Sequence, residues 1–239
     1  MTGESSEKSS MYAPIPMYPG PVTLHPDVLK AIAKDYGSGQ SEPEFLPFYK
    51  ETAAKLARLM SPSHAVVLLT GEGMLALWAG LKSCLTPGDT VLCIGTGLFG
   101  NGMADMAKAV GCEVHLVSFP ESSTIGNGDS LAVIEEAVRR IKPRMITAVH
   151  CETPSGTLNP LAELGAIKEC RNVPLLYVDA VASIGGAPVM ADEWHIDLLP
   201  GGSPTCLSCP PSMSTIAVSP PAWDSTPRVN YQGSAATLP

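Results

Sequence analysis

Four short stretches of this sequence carry side chains able to do chemistry, and each stands where a strand hands over to a turn or a helix. Asp179 closes the apolar run Tyr177-Val178-Asp179. Open α/β sheets keep their ligand groups at the carboxyl ends of strands, and a carboxylate there can pair with a protonated pyridine nitrogen. A turn or helix N-cap aspartate is the plainer reading of Asp179 taken alone. The stretch His150-Cys151-Glu152-Thr153-Pro154-Ser155-Gly156 follows a second apolar run. Its Thr153 hydroxyl can hydrogen-bond a phenolic oxygen, and a neutral His150 can lie beside a ring or serve structure alone. Thr70-Gly71-Glu72-Gly73-Met74 leaves a third strand for a helix. Free N–H groups at such a turn bind phosphate, although a tight glycine turn is the plainer reading and the Glu72 carboxylate would repel an anion placed there. Phe99, in Gly97-Leu98-Phe99-Gly100, either stacks on a planar ligand or belongs to the core. Polar or aromatic groups at three strand ends converge on one crevice, and that convergence says more than any single motif.

The elements that must position these groups follow from hydrophobic periodicity. Helices are predicted over 26–34, 43–60, 74–84, 99–110, 130–141 and 161–170, with Asp129 or Ser130 as the N-cap of the fifth and Gly111 as the stop of the fourth. Strands are predicted over 65–69, 90–94, 113–118, 145–149, 175–178, 196–199 and 215–218. Their apolar runs suit parallel strands covered on both faces. Alternation of strands with helices of about three turns argues for right-handed βαβ units and a mainly parallel sheet.

Composition narrows the function classes. The chain has 239 residues, 45% hydrophobic and 16% charged, which provides a real core. Its formal net charge of −8 makes nucleic acid and anionic membrane poor partners. No apolar run reaches a membrane span, and the first ten residues lack the apolar block of a secretory signal. Seven cysteines, an odd number in an ordinary α/β pattern, suit a reducing cytoplasm. Cys206-x-x-Cys209 has no second ligand pair for a metal site, so no metal is expected. Thr237-Leu238-Pro239 is not a peroxisomal address.

Taken in order, Gly20-Pro21, Thr70-Gly71-Glu72-Gly73, Pro87-Gly88-Asp89, Gly97-Leu98-Phe99-Gly100, the 150–156 stretch, Val178-Asp179-Ala180-Val181-Ala182-Ser183, Gly202-Ser203 and Pro210-Pro211 resemble class V pyridoxal-phosphate-dependent aminotransferases, most closely the alanine–glyoxylate and serine–pyruvate branch. The resemblance implies a fold type I large domain: a mostly parallel seven-stranded sheet between helices, working as a homodimer. It implies pyridoxal 5′-phosphate as cofactor, with Gly71, Glu72 and Gly73 at the phosphate turn. Phe99 and Val181 then lie on the two faces of the pyridine ring, Thr153 near its phenolic oxygen and Asp179 on its nitrogen. It implies amino transfer from alanine or serine to a 2-oxo acid such as glyoxylate.

Two departures qualify that expectation. The family's cofactor lysine, preceded by glutamine, falls on Thr205 and Pro204, and no lysine follows Lys168. Threonine forms no imine and is no general base at neutral pH, and a positioned base is worth roughly 10²–10⁴-fold. The catalytic positions are therefore read as Thr205, where the lysine is missing, and His150. The match also ends near Trp223, before the family's smaller C-terminal domain. The expected organisation is a mobile leader (1–13), one large domain (14–223) and an irregular tail (224–239). The expected function is an impaired or repurposed aminotransferase-like protein that binds its cofactor noncovalently if at all. The alternatives are a non-catalytic truncated paralogue that pairs with a complete aminotransferase, and a cofactor-independent enzyme that reuses the crevice.

Overall fold

The computed structural model describes residues 17–37, 39–61 and 63–226. The expected leader lies outside the described residues, as does the tail beyond 226. Helices α1 (Pro26–Ile32) and α2 (Phe45–Met60) come first, with a 3-10 turn at Gly39–Ser41 between them. Then follow β1 (Ala65–Thr70), α3 (Gly73–Cys84), β2 (Thr90–Gly95), α4 (Leu98–Val110), β3 (Glu113–Ser118), α5 (Ser130–Ile141) and β4 (Met145–Val149). A two-strand hairpin, β5 (Cys151–Glu152) with β6 (Thr157–Leu158), precedes α6 (Ala162–Cys170), β7 (Leu175–Asp179), β8 (Leu198–Gly202), β9 (Met213–Val218) and α7 (Pro220–Ser225).

Seven strands form one sheet in the order β1-β9-β8-β7-β4-β2-β3. β9 runs antiparallel to both its neighbours, whereas the other pairs are parallel. Strand alternation sends side chains to two separate layers. Val91, Cys93, Met145, Leu175 and Tyr177 face a layer built with Leu77, Leu81, Met103 and Ala107 of α3 and α4. Leu92, Ile94, Ile146, Leu176 and Val178 face the other, with Ile134, Val138, Leu164 and Met60 of α5, α6 and α2. Each such fully buried aliphatic side chain contributes about 1.5–3 kcal/mol. Tyr177 is wholly buried and donates its hydroxyl to the Leu77 carbonyl at 3.0 Å, which fixes α3 over the strand that ends in Asp179.

Among the departures from the sequence expectation, two concern the end of the sheet and the helix that follows it. The strand expected over 196–199 is Leu198–Gly202. Asp197 instead exchanges bonds with Leu176 just before that strand begins. Pairing with β9 then carries the strand through Pro200, Gly201 and Gly202. The segment expected to be irregular from 224 begins inside α7, which runs to Ser225. Prolines at the first turn and the Ser219 hydroxyl, which accepts from the Ala222 N–H at 3.3 Å, start that helix.

Candidate ligand-binding cleft

A cleft of about 170 Å³ opens at the carboxyl ends of the central strands. Glu72, Gly73, Phe99, Thr153, Asp179, Val181, Pro204 and Thr205 all line it, together with Gly20, Pro21, Met74, Leu77, Cys151 and Ala182. Eight of the ten positions singled out from the sequence thus meet in one cavity. Gly71 and His150 are not among its lining residues. A larger groove of about 730 Å³ lies at the opposite end of the sheet, where Arg139, Lys142, Arg144 and Arg171 line it, and none of the candidate residues reaches it.

Parallel pairing brings Asp179 to its place. Val149 of β4 is its register partner, and the next residue, His150, donates its N–H to the Asp179 carbonyl at 2.8 Å. The Asp179 side chain is buried and accepts one hydrogen bond, from the Val181 N–H at 2.9 Å. Its other oxygen has no hydrogen-bond partner among the described residues. Burial pushes the carboxyl up to about 7, a rise to which Glu152 adds and which the Val181 N–H opposes.

Val181 is held between two glycines. A Cβ at Gly73 or at Gly202 would lie 2.7 Å from its Cγ1, so only glycine lets α3 and the end of β8 close on it. The Val181 carbonyl accepts from the Thr205 hydroxyl at 2.5 Å. Thr205 is buried, and its methyl group packs on Gly20, where a Cβ would lie 2.5 Å away. The entering segment is tied to the same loop, because Val22 donates its N–H to the Pro204 carbonyl at 2.9 Å and His25 to that of Ser208 at 3.1 Å.

Glu72 is exposed and caps α3, its carboxylate accepting from the Met74 N–H at 3.1 Å. Gly71, at φ +152, donates its N–H to the Ser212 carbonyl at 2.8 Å. His150 is buried beside the cleft. Its Nδ1 lies 2.9 Å from the Ser183 hydroxyl and its ring meets Trp194 edge-on at 6.0 Å. Burial lowers its pKa to about 4, so the ring is neutral at physiological pH.

Sequence reasoning passed over Glu152. Wholly buried, it accepts from the N–H groups of Phe99 at 3.0 Å and Gly100 at 2.7 Å. It thereby satisfies the start of α4 and fixes the backbone that carries the Phe99 ring. Gly97 and Gly100 make room, since a Cβ at either would lie 2.9 Å from the carboxylate. Their local pattern was the available signal: two glycines at a helix start leave open amides for a distant acceptor. Cys151, Met74 and Leu77 are further lining residues that were not foreseen.

Residues 26–207 match the family model for aminotransferase class-V. The chain belongs to the class V aminotransferases. It is 34% identical over 202 residues to the (S)-ureidoglycine–glyoxylate transaminase of Bacillus subtilis (strain 168), covering 84% of this chain and 47% of that protein. It is 31% identical over 208 residues to the pyridoxamine–pyruvate transaminase of Mesorhizobium japonicum, covering 85% and 51%. The crystal structure of an alanine–glyoxylate aminotransferase from Nostoc sp. superposes with a TM-score of 0.83 at 28% identity, over 99% of this chain and 62% of that one. This class V chain spans about half the length of the curated relatives it matches. Among its described residues no helix is long and apolar enough to cross a membrane.

Proposed function

We propose that the cleft of this class V chain holds a vitamin B6 coenzyme of the pyridoxal 5′-phosphate kind without a covalent tether. Amino transfer between alanine or serine and a 2-oxo acid such as glyoxylate is then impaired or repurposed. The carrying observation is Asp179, a buried carboxylate with one donor, facing a cavity it shares with Phe99 and Val181. A protonated pyridine nitrogen would complete its hydrogen bonding, and the ring and the valine suit the two faces of a planar heterocycle. Thr153 lines the same cavity, which supports a role beside the ring's phenolic oxygen.

The rest of that coenzyme is not matched by the residues present. Thr205 stands in place of the amine, and its hydroxyl is spent on the Val181 carbonyl. At the phosphate turn, the α3 N-terminus is capped by the chain's own carboxylate. His150 does not line the cavity, its Nδ1 is engaged by Ser183 and its ring packs on Trp194, which weighs against a role as base to a substrate carbon. The relatives' names support an amino donor and a 2-oxo acid as the small molecules concerned. Seven unpaired cysteines favour a reducing compartment, the cytoplasm.

The test is titration of the full chain with pyridoxal and pyridoxal phosphate, followed by dialysis with and without borohydride. Binding that dialyses away from the wild type, and borohydride-stable attachment in the double variant Thr205→Lys with Pro204→Gln, are the expected results. Failure of both vitamers to bind at millimolar concentration would refute the reading.

A second reading, a non-catalytic subunit that pairs with itself or with a complete aminotransferase, is favoured by the first helices. Leu29, Ile32, Tyr36, Phe45, Leu46 and Phe48 expose large apolar side chains there. Light scattering on the purified chain tests it, and a strict monomer that also ignores an added aminotransferase would count against it.

A further inference from the structure

We propose that the groove at the amino-terminal ends of the strands binds a small organic anion with two or more phosphate groups, of the nucleoside diphosphate class. The site lies apart from the cleft and does not depend on what the cleft holds.

Charge is the first ground. The groove encloses about 730 Å³, a volume suited to a small molecule. Arg139 and Lys142 line it from the end of α5, Arg171 from the end of α6, and Arg144 from the residue before β4. Asp89 is the carboxylate among the described lining residues. It is already engaged, since its Oδ2 accepts from the Thr86 N–H at 2.8 Å and lies 3.6 Å from the Arg144 Nε. Each helix C-terminus adds roughly half a negative charge, which leaves the lining positive. In a chain of net charge −8, four of the 15 lysines and arginines thus share one concavity. Such a concavity concentrates anions.

The second ground is how those cations are held. Arg139 donates from Nε and Nη2 to Glu136, and Arg171 from Nε and Nη2 to Glu135. A guanidinium carries five N–H donors, so each has more to give than its glutamate takes. These pairs stand at the surface, where an ion pair contributes little and exchanges readily for a ligand richer in oxygens. The Lys142 ammonium has no hydrogen-bond or ion-pair partner among the described residues. Its backbone is left-handed, at φ 51, as the C-cap of α5, a position that favours glycine or asparagine. The cations come from three elements, and a diphosphate meets more of them than a single phosphate does. The amides of Lys142, Arg144, Arg171 and Val173 are spent on the carbonyls of Val138, Thr90, Ile167 and Lys168. Binding therefore rests on side chains.

The third ground is the apolar part of the lining. Val138, Pro143 and Val173 are buried lining residues, and Pro174 is an exposed one. They give an organic body a surface to cover that pyrophosphate alone would leave wet.

The experiment is calorimetric titration of the full chain with ADP, pyrophosphate and inorganic phosphate, without divalent metal, at about 50 mM and about 500 mM salt. The expected dissociation constant for ADP at the lower salt is on the order of 10–100 μM, with pyrophosphate about tenfold weaker and inorganic phosphate weaker still. The higher salt should cost about tenfold or more. The double variant Lys142→Asn with Arg171→Gln, whose asparagine tolerates the left-handed backbone, should weaken ADP by about tenfold or more with its circular dichroism unchanged. Arg140 is exposed on α5 and does not line the groove. Arg140→Gln should change the affinity by less than about twofold, which separates the groove from net charge. No ADP binding at millimolar concentration overturns the inference. So does pyrophosphate that binds as tightly as ADP, an affinity unchanged in the double variant, or a loss in Arg140→Gln as large as in the double variant.

Discussion

Two buried aspartates at opposite ends of the sheet show how one residue type serves two purposes. Asp197 lies before the start of β8, with Lys168 3.4 Å from its Oδ2. It accepts from the Leu176 N–H at 2.8 Å and the Ser219 hydroxyl at 2.8 Å. Asp179 lies at the end of β7, equally buried, with a single backbone donor and no cationic partner among the described residues. The first aspartate is satisfied by the fold and holds β7, β8 and α7 together. The second is left short of partners inside a cavity, which is the condition the proposed ligand would relieve.

The largest effect expected from this contrast is at Asp197. Asp197→Ala leaves the Lys168 ammonium to Glu169, 2.8 Å away, and removes the acceptor of two buried donors. It should lower the free energy of unfolding by about 2–4 kcal/mol in urea titrations. A loss no larger than that of an ordinary surface substitution would erase the distinction.

Asp179→Asn should behave in the opposite sense. The folded chain holds the Asp179 proton more firmly than the unfolded chain does, since burial raises the pKa to about 7 from an ordinary value near 4. Its contribution to stability is complete below the unfolded value and is lost as the pH rises through the folded one. Asparagine removes that titration while keeping an acceptor for the Val181 N–H. The variant should therefore gain on the wild type by on the order of 2 kcal/mol more at about pH 8 than at about pH 5. Unfolding curves at the two pH values measure this, and a variant that loses ground at the higher pH would place Asp179 with Asp197 as a structural group.

The smallest effect sharpens the comparison on the Asp179 side, at the wall of the cleft. Thr205→Val removes the hydroxyl bonded to the Val181 carbonyl while keeping the methyl packed on Gly20. About 1 kcal/mol of stability should be lost. No loss would mean that the hydroxyl contributes nothing to the fold and is free to serve a ligand.

Strands β2, β4 and β7 were legible because each is an apolar run buried on both faces, and that signal is local. Helices α3 to α6 were legible to within a residue because their apolar stripes and stop signals are local too. The hairpin of β5 and β6 was not, since two residues per strand leave no period to read. α7 was hidden by Pro220 and Pro221, which read as breakers although prolines suit a helix start. Pro200 and the two glycines after it likewise disguised the end of β8, where Gly202 is needed so that Val181 can approach. At the site, residues at strand ends were found from position alone. Glu152 was not assigned a role, because the amides it accepts from are more than fifty positions earlier in the chain. The Glu72 carboxylate stood out in the sequence as ill-suited to a phosphate. What the structure adds is its engagement with the Met74 N–H.

The bonds from Val22 to Pro204 and from His25 to Ser208 make the floor of the cavity a joint product of both ends of the sequence. Any insertion, tag or trimming that pulls on the leading segment would be felt at position 205 before it disturbed the sheet. The architecture thus separates how firmly the domain stands from how well its mouth is shaped, and lets the second drift while the first is conserved.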